Sequence, residues 1–187
     1  YVDPALAKVT VGEWAQRWLD GQAHLKPTTR SRYAGILSKH IRPKWDRVKL
    51  ANVSHSDVQA WISDLASRHS PAAVHKIHRV LSLVLDLAVK DGRLARNVAV
   101  GVNLPRTVRH EHRYLTHDQV ATLAACSAHP TLVLTLAYTG LRWGEATGLH
   151  VRSVNRLRRR FVIEENAVMI AYEVHVGTPK THEKRSV

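Results

Sequence analysis

The sequence has very little of several residue types, and each shortage excludes a class of protein. A single cysteine, Cys126, excludes an internal disulfide and is typical of a reducing compartment. No apolar run is long enough to cross a membrane, and no signal-peptide pattern opens the chain. Low-complexity segments are also missing, and 44% of the 187 residues are hydrophobic, which is enough to bury a core. We therefore expect a folded, cytoplasmic protein with one large domain or two small ones.

Acidic side chains are also scarce. Asp and Glu total 15 against 28 Lys and Arg, so the formal net charge is +13. The excess lies mainly in residues 1–110, which hold 18 basic and 8 acidic side chains, whereas residues 111–187 hold 10 and 7. Such a balance favours a polyanionic partner, most simply nucleic acid, although solubility alone is an alternative explanation.

Three helix starts are predicted by one pattern, a hydroxyl side chain followed three residues later by a side chain that can bond back to it. The pairs are Thr10 with Glu13, Ser54 with Asp57, and Thr116 with Gln119. Apolar residues at helical spacing follow each pair. Two further helices are predicted, one from near Thr28 and one from about Pro71 to Lys90. Four amphipathic helices therefore precede residue 92, and we expect them to form a compact bundle.

The pattern changes after residue 92. The segment 92–113 loses helical periodicity, contains Gly, Pro and several arginines, and predicts an inter-domain connector that becomes extended by about Pro105. Further helices are then expected from Thr116, around 131–138 and at about 143–149. Strands are predicted at 161–163, 172–176 and 185–187, with residues 177–181 in the turn between the last two.

Basic side chains gather on two of the predicted helices. On a helical wheel, they lie opposite the apolar stripe of the second helix and along one flank of the fourth. An ordinary solvated face would carry mixed charge, whereas acids are few here, so we predict contacts with DNA phosphates. The candidate DNA-binding residues are Lys26, Arg30, Arg32, Lys39, Arg42, Lys76, Arg79, Lys90, Arg106 and Arg109.

Thirteen histidines raise the question of a metal site. His75 and His78 are three residues apart on a predicted helix, and His110 and His112 lie in the predicted connector. Neither pair has a third ligand at a recognisable spacing. Zinc-finger, RNP and basic-zipper patterns are also missing. We predict no metal and no other cofactor.

One arginine stands in an unusual place. From Pro130 to Leu149 the only ionised side chains are Arg142 and Glu145, in a stretch that is otherwise apolar. A local salt bridge between the two explains the pair, although it does not explain the apolar setting, where a charge is costly. The alternative is that Arg142 faces a cleft and binds an external anion, because a guanidinium can donate two parallel hydrogen bonds to phosphate oxygens.

The segment Thr139-Gly-Leu-Arg-Trp-Gly-Glu-Ala-Thr-Gly-Leu149 closely resembles the first conserved box of the tyrosine recombinases, the phage integrase family. Residues 10–92 resemble the core-binding domain of that family, 114–120 the start of its catalytic domain, and 178–181 the β-hairpin turn that bears its catalytic lysine. The resemblance implies a mainly α fold: a four-helix SAM-like core-binding bundle, then a truncated α+β catalytic domain with a small antiparallel sheet. The implied division is 1–104, a connector at 105–113, and 114–187.

The resemblance also implies roles for individual residues. Arg142 would hold the scissile phosphate and stabilise the transition state, and Glu145 would orient Arg142. Lys180 would protonate the departing 5′-oxygen as a general acid. The family uses no metal, and its two domains close around double-stranded DNA.

The sequence departs from the family pattern in several places. After the first box it contains no His-x-x-Arg followed by a His or Trp, and no tyrosine nucleophile beyond that. Val98 follows Asn97 where the family usually has proline, and the arm-type domain that would precede Tyr1 is missing.

We therefore expect a central integrase fragment, truncated at both ends, that binds DNA and does not cut it. The protein would be encoded by a bacterium or phage and associated with the nucleoid, tetrameric on DNA at full length and monomeric as the fragment. The alternatives are a non-catalytic recombinase remnant that acts as a regulator or decoy, and a generic basic RNA- or ribosome-associated protein.

Overall fold

The structure is a computed structural model that describes residues 8–108, 111–179 and 184–187. The chain divides into two compact units, Tyr1–Arg109 and His110–Val187. We call them the N-terminal unit, which is helical, and the C-terminal unit, which combines helices with short antiparallel strands. The mainly α fold with a small antiparallel sheet is thereby confirmed.

The first helix, α1 (Val11–Asp20), begins as the sequence predicts. The Thr10 hydroxyl accepts a hydrogen bond from the Glu13 amide at 3.2 Å, and the Glu13 carboxylate accepts one from the Thr10 amide at 3.1 Å. This reciprocal pair satisfies two amides that the helix itself leaves without partners. The side chains of Trp14 and Trp18 point into the core, as the helical spacing predicts.

The helix predicted from near Thr28 changes pitch along its length. It consists of α2 (Pro27–Ile36), a π-helical turn (Leu37–Ile41) and α3 (Arg42–Trp45). The wide turn directly precedes Pro43, which has no amide hydrogen and whose ring crowds the carbonyl four residues earlier.

The wheel used to predict the basic face assumes a regular helix, whereas a π-helical turn lies between Arg32 and Arg42. The Arg42 guanidinium donates to the Gln16 side chain of α1 at 2.6 Å. The basic face shared by Arg32, Lys39 and Arg42 stays a prediction.

Two long helices complete the bundle, α4 (His55–Arg68) and α5 (Pro71–Lys90). The Ser54 hydroxyl accepts from the Asp57 amide at 3.1 Å, so the second predicted helix start is also confirmed. A 3₁₀ turn (Leu50–Asn52) precedes α4. The core is rich in tryptophan, and its largest buried side chains include Trp14, Trp18, Leu37, Ile41, Trp45, Trp61, Ile62, Leu81 and Leu85.

Residues 92–105 were predicted as part of a connector, and that prediction is wrong for this stretch. Ala99 is fully buried, and Leu94, Val98, Val102 and Leu104 pack against the helical core. The segment has no helical periodicity because it follows the surface of the bundle as an irregular chain. Its apolar residues nevertheless belong to the N-terminal unit.

Histidines hold this segment in place. Ring nitrogens of His75 and His78 donate to the carbonyls of Pro105 and Ala99, each at 2.9 Å, and His55 donates to Val98 at 2.9 Å. These bonds satisfy backbone carbonyls that no helix or strand could satisfy.

The C-terminal unit begins with α6 (His117–Ala125), α7 (Pro130–Thr139) and α8 (Trp143–Thr147). The start of α6 has the predicted reciprocal bonds between Thr116 and Gln119. Although α7 is strongly apolar, the described part of the unit buries none of its residues fully, and Tyr138 remains 58% exposed.

The strands form two small sheets. The first has the antiparallel order β1 (Val154–Asn155), β2 (Arg160–Ile163) and β5 (Arg185–Ser186), and the second pairs β3 (Asn166–Ile170) with β4 (Glu173–Gly177). The three predicted strands correspond to β2, β4 and β5, whereas β1 and β3 were missed.

The last two predicted strands each have another partner in the described residues, where β4 pairs with β3 and β5 pairs with β2. Residues 180 and 181 of the predicted turn lie outside the described residues, so that turn stays a prediction. A hairpin turn joins β3 to β4 at Ala171 and Tyr172, which both have positive φ, 48° and 69°. Two successive residues of this kind give a turn whose twist matches that of the strands.

Candidate anion-binding site

The position of Arg142 follows from how α7 ends. Gly140 adopts a left-handed conformation with φ of 63°, which glycine tolerates, and its amide closes the helix on the Leu136 carbonyl. Arg142 then has extended backbone and is the residue that immediately precedes α8. Its guanidinium therefore projects from the start of that helix.

Glu145 is the buried centre of the site, with a side chain only 1% exposed. One carboxylate oxygen accepts from the Arg142 guanidinium at 2.8 Å. The other accepts from the Arg142 amide at 3.0 Å and from the Arg185 guanidinium at 2.7 Å. A single carboxylate thus fixes two arginines.

Close packing between α8 and β3 keeps Glu145 in this position. A Cβ atom on Gly148 would lie 2.9 Å from the Ala167 amide nitrogen, so no larger residue fits without a shift of backbone. The Thr147 hydroxyl donates to the Ala167 carbonyl at 3.2 Å. These contacts hold the start of β3 against α8, next to the carboxylate.

The charges of this site do not cancel. Burial alone would raise the pKa of the Glu145 carboxyl. The hydrogen bonds from the Arg142 backbone and side chain, with the charges of Arg185 and Arg142, hold that pKa below its ordinary value. Glu145 is therefore ionised at neutral pH, and the two guanidiniums and one carboxylate carry a net charge of +1. The Arg142 and Arg185 side chains are 48% and 40% exposed, so an anion can reach both.

Both interpretations of Arg142 from the sequence find a counterpart here. It forms the local salt bridge with Glu145, and it also keeps an accessible guanidinium. The apolar surroundings are only partly enclosing. Leu141 beside Arg142 is buried and Leu136 of α7 is half-buried, whereas Trp143 is 63% exposed and Tyr138 lies largely in solvent.

Arg185 is the residue of this site that the sequence analysis missed. A weak signal for Arg185 in the sequence is the motif His-x-x-Arg at 182–185, although no His or Trp follows this motif. The motif could not reveal that Arg185 lies beside Glu145, since this contact depends on the pairing of β5 with β2. Lys180, the predicted general acid, lies outside the described residues.

The predicted DNA-binding residues are mostly accessible. Arg42 is half-buried, Arg109 lies outside the described residues, and the other eight are exposed. Arg30 lies 3.9 Å from the Asp20 carboxylate. Their contacts with DNA remain predictions.

The described ranges contain no helix long and apolar enough to cross a bilayer. They also contain no group of three or more metal-ligating side chains that could hold an ion.

Comparisons with known proteins agree with the resemblance of the sequence. Residues 10–66 match a family described as phage integrase, N-terminal SAM-like domain. A putative prophage phiRv2 integrase of Mycobacterium tuberculosis (strain CDC 1551 / Oshkosh) is 25% identical over 174 residues, which cover 91% of this chain and 46% of the relative. The chain therefore spans about half the length of the curated relatives it matches.

Solved structures show the same fold. The Tn1549 transposon integrase in complex with a circular intermediate DNA superposes with a TM-score of 0.77 at 17% identity, over 95% of this chain and 60% of the other. The lambda integrase dimer bound to a COC′ core site gives 0.75 at 19% identity, over 98% and 49%. At these identities the likeness concerns the fold alone.

Proposed function

We propose that this chain belongs to the phage integrase family of tyrosine recombinases and that it binds duplex DNA as part of a site-specific recombinase; the family match over residues 10–66 and the similarity to a prophage integrase support this. The observation that carries the proposal is the arrangement at Glu145, where one buried carboxylate binds two half-exposed guanidiniums. The three groups together carry a net charge of +1. That the Tn1549 and lambda integrases were solved in complexes with DNA supports the same class of ligand here.

Arg142 is proposed to contact the phosphate at which the strand is broken. Its Nη1 is engaged by Glu145, which leaves the rest of the fork available for phosphate oxygens. Because Glu145 also accepts from the Arg142 amide, the guanidinium is held before DNA arrives and needs little ordering on binding. Glu145 is therefore a positioning residue.

The whole enzyme would break and rejoin DNA through a 3′-phosphotyrosyl intermediate. A tyrosine oxygen attacks the phosphorus as its hydroxyl proton passes to solvent, the bond from phosphorus to the 5′-oxygen breaks, and the leaving oxygen takes the proton that we assign to Lys180. All five tyrosines of this sequence precede Lys180, whereas the family nucleophile follows it. We therefore expect these 187 residues alone to bind DNA without cutting it.

The setting of the protein follows from the same proposal. A recombinase of this kind works on the DNA of a bacterium, in the cytoplasm, and is encoded there or by a phage. The whole enzyme would assemble as a tetramer on paired sites, while the present chain would be monomeric. Accessible basic residues of the N-terminal unit, such as Lys76 and Arg79, would then contact further phosphates of the duplex.

Binding preference tests the function directly. We expect the chain to bind a fluorescent DNA duplex more tightly than a single strand or an RNA duplex of equal length, in anisotropy titrations at one salt concentration. A preference for RNA would contradict the proposal and favour a generic RNA-associated protein.

Substitution of Arg142 tests its role in a longer chain that includes the family nucleophile. Arg142→Lys keeps the charge but cannot reproduce the two-pronged contact. We expect duplex binding to persist and strand cleavage to slow by about 10²-fold or more, since the contact strengthens in the transition state. Near-normal cleavage would remove Arg142 from the reaction centre.

A further inference from the structure

A second cationic site lies in the N-terminal unit, where the π-helical turn and α3 pack against the end of α4. An open pocket of about 370 Å³ occurs there, with the buried side chains of Trp61 and Leu65 in its lining. Its charged and titratable lining residues, which define what we call the histidine pocket, are Lys39, His40, Lys44, Asp64, Arg68 and His69.

Positive charge dominates this pocket. Asp64 is its one acidic lining residue, and the Arg68 guanidinium already forms an ion pair with that carboxylate. Lys39 and Lys44 have no carboxylate partner in the lining, so the pocket carries a net charge of +2 before either histidine is protonated. A concave site with this charge, on a chain proposed to bind DNA, is suited to a phosphate group.

His40 responds to that charge. The rings of His40 and His69 meet edge to face with their centroids 5.0 Å apart. Partial burial lowers the pKa of His40, and the nearby His69, Lys39 and Arg68 lower it further. An anion among these groups would weaken the positive field at His40 and favour its protonated form.

We propose that the histidine pocket binds a phosphodiester group of duplex DNA, with Lys39, Lys44 and Arg68 as its permanent cations and His40 as a donor that gains its proton on binding. The inference rests on the proposed function and adds to it a defined phosphate position and a proton linkage. The π-helical turn matters because its extra residue sets the directions in which Lys39, His40 and Lys44 project.

Proton uptake has a measurable consequence. If His40 binds a proton when DNA binds, the affinity for DNA must rise as the pH falls. The rise occurs over the pH range in which the free and the DNA-bound protein differ in the protonation of His40. The groups facing His40 are Lys39 and Lys44 on its own helix, and Asp64, Arg68 and His69 across the pocket. For one linked proton we expect duplex affinity to increase about three- to tenfold between about pH 7.5 and 5.5.

The test compares three proteins at constant ionic strength: the wild-type chain, His40→Gln and a control, His129→Gln, in the exposed start of α7. Dissociation constants for a labelled duplex are measured by anisotropy between pH 5.5 and 8. We expect the wild type and the control to bind more tightly as the pH falls, and His40→Gln to lose most of that dependence. An unchanged pH dependence in His40→Gln, or none in the wild type, would overturn the proposal.

Two further measurements distinguish binding of DNA at the histidine pocket from the other possible outcomes. Lys44→Gln, a change at an exposed residue, should reduce the salt slope of duplex binding by about 1, and an unchanged slope would count against the pocket. In NMR titrations the His40 ring signals should move with duplex at concentrations where inorganic phosphate has no effect. Equal movement with inorganic phosphate would make this a free-phosphate site and overturn the assignment to DNA. Failure of all variants to bind duplex at any pH would instead refute the proposed function.

Discussion

Replacing Glu145 by glutamine perturbs the Arg142 site at its centre. The substitution preserves shape but removes the charge that Arg142 and Arg185 share, and it turns an N–H donor toward one of them. A hydrogen bond to a charged group contributes about 1.5–3 kcal/mol, although both arginines are half-exposed and regain water. We therefore expect the local opening free energy of α8 to fall by about 2 kcal/mol, or about 30-fold in its opening equilibrium.

Hydrogen exchange measured by mass spectrometry reports the change in the opening free energy of α8 at the residues of that helix. Four of the five tryptophans lie in the N-terminal unit and Trp143 is largely exposed, so fluorescence would report the wrong unit. Amides of residues 142–148 should exchange about 30-fold faster in Glu145→Gln, with the N-terminal unit unchanged. The matched control is Glu165→Gln, which removes a more exposed carboxylate from His150 and Arg152 and should change exchange only slightly.

The pH dependence of hydrogen exchange gives the result that could refute this account of Glu145. Because the folded pKa of Glu145 lies below its ordinary value, the carboxylate stabilises the fold above the ordinary pKa, and this contribution is lost as the pH falls through the folded pKa. The difference between wild type and Glu145→Gln should be full at neutral pH and shrink in acid. Equal exchange in the two proteins at neutral pH, or a difference that persists unchanged in acid, would refute the account of Glu145.

Two other substitutions test the packing around the sites. Gly148→Ala should destabilise the C-terminal unit by about 1–3 kcal/mol in hydrogen exchange, since its Cβ would meet backbone of β3, whereas Gly21→Ala, with its nearest atom at 3.5 Å, should be tolerated. Asn97→Ala should lower the unfolding free energy of the N-terminal unit by about 1–3 kcal/mol in urea titrations followed by tryptophan fluorescence. The Asn97 amide donates to Ser82 and Asp86 of α5, and Asp86 would lose that donor; an unchanged midpoint would contradict this.

The local start signals of the helices were readable from the sequence. The pairs Thr10/Glu13 and Thr116/Gln119 form both of their bonds, because a capping box depends on residues within one turn. The wheel drawn through Arg32, Lys39 and Arg42 assumes a regular helix, and no periodicity in the sequence reveals the π-helical turn that precedes Pro43.

Long-range pairing was the part that the sequence could not supply. β3 was overlooked because Asn166–Ile170 is mostly apolar and gives no clear alternation, and the pairing of β5 with β2 was not predicted. Arg185 consequently escaped notice, since only the pairing of β5 with β2 brings it to Glu145. The importance of Arg142 itself was evident from its sequence context, although its shared carboxylate was not.

The salt dependence of duplex binding tests the central claim most directly. Each neutralised phosphate contributes about −0.9 to the slope of log affinity against log salt, and the N-terminal unit exposes eight of the predicted cations. We predict a slope of about −4 or steeper for the wild-type chain in anisotropy titrations between about 50 and 200 mM KCl. A slope near zero would contradict binding through the DNA backbone.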